Sequence, residues 1–200
     1  MVKRAALVVL GVLLLSGCGA HSIQELHGAG PGAHGAGHAA PAVPGAGADF
    51  NPADVMFLQM MAAHNGQGVE LVRLVSDRPA RPEVRTLAAA IATTQEAETT
   101  SMTDRLIGWG RPVTAEAGEH AAHGGMPGLS EVEIAAVADA VPADFETAFL
   151  NMLIAQQDDA VQMARAETAD GRNPEVKALA ARIEASRAAQ IEQMLALLGQ

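Results

Sequence analysis

Cysteine occurs once in these 200 residues, tyrosine not at all, tryptophan once and phenylalanine four times. A single cysteine excludes an intramolecular disulfide, so packing alone has to hold the fold. With so few aromatics the core must be built from aliphatic side chains and the nine methionines. Alanine-rich, aromatic-poor composition favours helices over strands. Cationic side chains are scarce too: 13 Lys and Arg stand against 23 Asp and Glu, a formal charge of −10. Such a surface repels phosphate backbones and anionic lipid surfaces, which argues against nucleic acid and polybasic membrane docking, and it is compatible with cations. The chain also lacks Glu-x-x-His, His-Glu-x-x-His, Gly-x-Ser-x-Gly and a P-loop. The carboxylate di-iron pattern therefore fails, and no enzyme activity is expected.

What is present begins with an export signal. Lys3 and Arg4 precede "AALVVLGVLLLSG", an apolar run of 13 residues. A bilayer-spanning helix needs about 20, so residues 1–17 read as a signal peptide. "LSGC" puts Cys18 at the cleavage point, where small Ser16 and Gly17 admit a peptidase and the thiol accepts a lipid. The expected location is extracytoplasmic, anchored to the cell membrane through Cys18. Residues 18–48, rich in Gly, Ala and Pro, form a tether with no means of building a core. His21, His27, His34 and His38 lie in it. They either catch metal ions loosely or are simply tolerated in a solvated linker.

Residues 49–200 read as the folded domain. Asn51 and Pro52 open a helix that "DRPARP" (77–82) ends. A second helix runs from Pro82 to about Trp109, completing hairpin one (51–109). Residues 110–140 hold a loop and a short helix, which the capping-box pattern "SEVE" (130–133) starts. A third long helix spans about 143–169, and Asn173-Pro174-Glu175 opens the fourth, completing hairpin two (143–198).

Displaced by 92 residues, the chain aligns with itself without a gap. Phe57 falls on Phe149, Met60 on Met152, Pro82-Glu83-Val84 on Pro174-Glu175-Val176, Ile91 on Ile183 and Met102 on Met194. One hairpin cannot bury its apolar face alone. The expected fold is therefore all-α: two pseudo-symmetric hairpins packed into a four-helix bundle.

Chemistry is concentrated in "FLQMMAAHNGQGVELVRL" (57–74). Met56, Met60 and His64 share one helix face, and Gln95, Glu98 and Met102 continue the inward stripe of the second helix. Antiparallel packing predicts an inward polar layer of His64, Gln95 and Glu98 flanked by Met60 and Met102. An unsatisfied buried polar group costs roughly 1–3 kcal/mol, so the layer must be paired, hydrated or liganded. Gly66 and Gly68 either allow close helix approach or mark a local break. Imidazole with thioether sulfur suits a soft or borderline ion, copper above all. "HAAHGGM" adds His120, His123 and Met126 as ligands from the loop. Without metal, His64 is expected to hydrogen-bond Glu98, and the methionines to act as core packing. Hairpin two carries Gln156, Gln157, Arg187 and Gln190 at the positions of His64, Asn65, Gln95 and Glu98. It is expected to be structural.

At these residues the chain resembles the bacterial secreted and lipid-anchored proteins of the domain of unknown function 305. The family pattern is Phe-Leu-x-x-Met-x-x-His-His followed by Pro-Glu-Val, Leu-Ala, Ile and Gln-x-x-Glu-x-x-x-Met, given twice. Here it reads "FLQMMAAHN", "PEVRTLAAAI" and "QEAETTSM", then "FLNMLIAQQ", "PEVKALAARI" and "RAAQIEQM". "MPGLS" (126–130) resembles the family's Met-Pro-Gly-Met segment. The resemblance implies a ferritin-like four-helix bundle and, for some members, copper binding and copper tolerance. The expected function is a lipid-anchored extracytoplasmic copper buffer or chaperone of weak affinity. The alternative is a non-enzymatic structural or interaction lipoprotein whose metal site has decayed. The expected partner is the membrane, through Cys18, and no nucleic acid is expected; the sequence names no protein partner, and it is compatible with a homo-oligomer.

Overall fold

The computed structural model describes residues 49–115 and 128–200. The signal peptide, Cys18, the tether and its histidines lie outside the described residues, as do His120, His123 and Met126. The described elements are α1 (Pro52–Arg73), a single 3-10 turn (Leu74–Asp77), α2 (Pro82–Gly108), α3 (Glu131–Ala138), α4 (Phe145–Asp170) and α5 (Pro174–Leu198). No strand occurs among the described residues, and the fold is all-α.

Local chemistry explains where the helices begin. Asn51 Oδ1 accepts from Asp54 N at 3.0 Å while Asp54 Oδ2 accepts from Asn51 N at 2.6 Å, a reciprocal capping box ahead of Pro52. Ser130 and Glu133 repeat the device at α3, and Asn173 Oδ1 caps α5 through Glu175 N and Val176 N. Each cap satisfies donors that the first helical turn leaves unpaired, worth about 1 kcal/mol apiece. α1 runs unbroken through Gly66 and Gly68, so neither glycine marks a break. Gly110, with φ +63°, turns the chain out of α2 into the connector, residues 109–130, of which 116–127 lie outside the described residues.

α1 packs on α2 and α4 on α5, and the two hairpins meet along α1 and α4, with α3 laid on α4. Carboxylates tie the hairpins together at both ends. Asp54 Oδ1 accepts from Asn173 N at 2.9 Å and from Arg172 N at 3.1 Å, so an acid of α1 caps α5. Ninety-two residues on, Glu146 Oε2 accepts from Arg81 N at 2.6 Å, so an acid of α4 caps α2.

The apolar interior falls into two clusters. One gathers Leu71, Val84, Leu87, Ile91, Phe149, Leu153 and Met194. The other gathers Phe57, Leu58, Met61, Met102, Leu106, Val176, Ala180 and Ile183. Burying each large side chain contributes about 1.5–3 kcal/mol. On every long helix the residues between the clusters are polar: His64 and Asn65 on α1, Gln95 and Glu98 on α2, Gln156 and Gln157 on α4, Arg187 and Gln190 on α5. A polar layer thus divides two greasy halves.

Candidate metal centre in the polar layer

His64 is fully buried. Gln156 Nε2 lies 3.1 Å from its Nδ1 and 3.3 Å from its carbonyl oxygen. As an amide nitrogen it donates to both, so Nδ1 is the acceptor and the neutral ring carries its proton on Nε2. Turning the amide by half a revolution would present Oε1 to Nδ1, move the proton there and free the Nε2 lone pair. Nε2 itself has no hydrogen-bond partner among the described residues. Burial, with the charge of Arg187 second, lowers the imidazole pKa to about 4, so the ring is neutral at physiological pH.

Gly68, one turn further along α1, lets this layer close. A Cβ there would stand 2.4 Å from Gln95 Oε1 and 2.5 Å from Gln156 Nε2. Close approach is therefore the use of this glycine. Gln95 is completely buried, and neither atom of its amide has a partner among the described residues.

The expected hydrogen bond between His64 and Glu98 is not made. Glu98 Oε2 accepts instead from Asn65 Nδ2 at 3.0 Å and forms an ion pair with Arg187 Nη2. Arg187 is fully buried, and its nearest counter-charge draws the carboxylate across to α5. Asn65 Oδ1 accepts from the same guanidinium nitrogen at 3.5 Å. In hairpin two the corresponding bond is neutral: Gln157 Nε2 donates to Gln190 Oε1 at 2.9 Å.

The sulfur atoms divide as well. Met102 is fully buried in the apolar cluster with Phe57, Leu58 and Met61. Met60 is also buried, one helical turn before His64, but belongs to neither cluster. Two described ends of the segment that joins α2 to α3 reach α1. Gln59 Nε2 donates to Pro112 O at 2.8 Å, and a Cβ on Gly128 would meet His64 Cδ2 at 3.2 Å and Gln67 Oε1 at 2.1 Å. Gly128, with φ +136°, thus presses backbone onto the imidazole edge two residues after Met126. Among the described residues no three His, Cys, Asp or Glu side chains converge.

Arg187, Asn65 and Gln156 were missed as members of the centre. A signal for Arg187 existed: at the 92-residue offset a cation replaces Gln95, on an inward stripe that faces Glu98. Nothing local announces that Gln156 reaches His64, because that contact crosses between hairpins.

The profile of the domain of unknown function DUF305 matches residues 54–198. A solved DUF305 fragment from Deinococcus radiodurans is 30% identical, with a TM-score of 0.66 over 76% of this chain and 98% of its own. A DUF305 protein from Streptomyces coelicolor, described as a candidate secreted protein, is 29% identical, with a TM-score of 0.68 over 74% and 92%. CopM in its Cu(II)-bound form is 29% identical, with a TM-score of 0.63 over 73% and 95%, and has also been solved in Cu(I)-bound and silver-bound forms. No curated protein matches the chain. On the family profile and these folds together, the chain belongs to the DUF305 family.

Proposed function

We propose that this protein is an extracytoplasmic, lipid-anchored protein that binds a soft transition-metal cation, copper above all, with modest affinity as a buffer or chaperone. The observation that carries the reading is the buried Nε2 of His64, unpartnered among the described residues, in a ring whose edge the backbone of Gly128 approaches. An orphaned imidazole nitrogen costs roughly 1–3 kcal/mol unless something bonds it. A neutral imidazole with thioether sulfur nearby fits Cu(I) or Cu(II) better than a hard cation. The copper-bound and silver-bound structures of CopM support the same reading.

The residues that would hold the ion are His64 and Met60 on α1, with His120, His123 and Met126 supplied by the connector. Glu98 does not fit as a ligand while Arg187 holds it, and Met102 does not fit because it packs among apolar neighbours. Binding at Nε2 requires the ring proton to leave that nitrogen, which the Gln156 amide governs. The bound ion would act as cargo, and no catalytic step is assigned to it. Among the described residues no helix is long and apolar enough to cross a membrane. Attachment is assigned to a lipid on Cys18, and radiolabelled acyl chains should mark the parent and not Cys18→Ala.

The second reading, a structural or interaction lipoprotein with a decayed site, is favoured by one observation: the ion pair of Arg187 and Glu98 already neutralises the carboxylate of the layer. A copper titration separates the two. The chain used carries alanine at His21, His27, His34 and His38. Micromolar or tighter binding that His64→Ala abolishes supports the metal reading. No binding by this chain, or binding seen only when the tether histidines are restored, supports the second.

A further inference from the structure

We infer that Arg187 is a resident cation that restrains metal binding at the His64 centre by holding Glu98 and keeping the polar layer electrically neutral. The inference rests on the metal-binding reading and names what regulates that site.

The observations are geometric. Arg187 is fully buried on α5, and its Nη2 contacts Glu98 Oε2 on α2, a contact between opposite hairpins. Asn65, the residue after His64, bonds both partners: its Nδ2 donates to Glu98 and its Oδ1 accepts from Arg187. The charge pair is therefore wired directly to the backbone segment that carries the imidazole. The guanidinium is not a fully satisfied strut, since Nε and Nη1 have no partner among the described residues. The position is also asymmetric within the chain. The residue 92 earlier is Gln95, fully buried and neutral.

Electrostatics decides the direction. With the guanidinium in place, Glu98 offers an incoming cation no free negative charge, and the cation meets a fixed positive charge in a poorly screened interior. An arginine cannot relieve this by losing its proton, because guanidinium stays charged in proteins. Replace it with glutamine and the layer carries one unpaired carboxylate, partly open to solvent, bonded to Asn65, the chain neighbour of His64. The favoured way to compensate that charge is to take up a cation.

The test uses the full chain, expressed with its export segment and carrying alanine at the four tether histidines. Ag(I), which undergoes no redox change, is titrated by competition with a chelator, and folding is checked by circular dichroism. Arg187→Gln should bind Ag(I) at least tenfold tighter than the parent, and the gain should vanish in His64→Ala/Arg187→Gln and in Glu98→Gln/Arg187→Gln. Binding by Arg187→Gln where the parent shows none, dependent on His64, supports the inference equally. Arg187→Leu is measured alongside, so misfolding of one variant leaves the comparison intact. If the parent binds through His64 and loss of Arg187 leaves affinity equal or weaker, the inference is overturned and the metal reading stands. If neither the parent nor the arginine variants bind silver, both are overturned.

Discussion

Gln156 and His64 stand 92 residues apart, the offset at which the sequence leads one to expect a repeat, and their side chains touch at 3.1 Å in the middle of the bundle. Each hairpin contributes one side chain to the contact, His64 from α1 and Gln156 from α4. The amide thereby chooses which imidazole nitrogen carries the proton. In the metal-free protein, nitrogen NMR should show His64 protonated at Nε2 and neutral at pH 5.5, since its pKa is lowered to about 4 by burial and then by Arg187. A His64 resonance titrating near 6.5 would contradict this placement. Gln156→Ala leaves Nδ1 without its donor, removes a second donor from the His64 carbonyl and should cost about 1–3 kcal/mol in chemical denaturation.

The two glycines of α1 should respond oppositely to the same substitution. Gly66 is exposed with nothing within 4 Å of a Cβ. Gly66→Ala should therefore stabilise by up to about 1 kcal/mol through helix propensity. Gly68→Ala places its methyl 2.4 Å from Gln95 Oε1 and 2.5 Å from Gln156 Nε2. Both amides are fully buried and have little room to retreat. The clash should outweigh the propensity gain and leave a net loss of about 1–3 kcal/mol. Thermal melts of the two variants check the difference in sign.

A second titration acts at the end of the bundle where α1 and α5 begin. Glu167 is almost completely buried and lies against Gly171, where a Cβ would meet its Oε1 at 2.0 Å. Burial, a hydrogen bond to Asp54 and the Asp54 charge raise its pKa to about 8, with Lys177 opposing and Asp170 adding to the rise. Burial alone would raise Asp54 too, but hydrogen bonds from the Asn51 and Asn173 amides, from Glu167 and from the Arg172 amide outweigh it and hold Asp54 below the usual carboxylate range. Glu167 thus enters the folded state protonated, and its stabilisation is complete below its unfolded value near 4.5 and is lost as pH rises toward 8. His64 runs the other way: its lowered pKa removes stability as pH falls from 6.5 toward 4. The two slopes should cancel between about pH 4.5 and 6.5 and leave a decline from 6.5 to 8. Denaturation midpoints should show that plateau and fall. Glu167→Gln should abolish the alkaline decline, and an unchanged decline would remove Glu167 as its cause.

Helix positions and caps were legible because they are local. Asn51-Pro52, Ser130 with Glu133, and Asn173-Pro174 each satisfy their own helix start within a few residues. The inward character of His64, Gln95 and Met102 was legible too, because periodicity alone assigns a face. What periodicity cannot assign is the partner across the interface. His64 was expected to meet Glu98, its neighbour in the same hairpin, yet the imidazole pairs across the hairpins with Gln156, and the carboxylate takes Asn65 within its hairpin and its counter-charge, Arg187, from the other.

The sequence by itself therefore determined an all-α chain, its helix ends, and a polar layer between apolar stripes, since these follow from spacing and from hydrogen bonds closed within one turn. Only the tertiary structure decided how that layer is wired. A buried charge goes to the nearest group able to neutralise it, and nearness is set by how α1 and α4 bring the hairpins together. Arg187 consequently reaches Glu98 across 89 residues of chain.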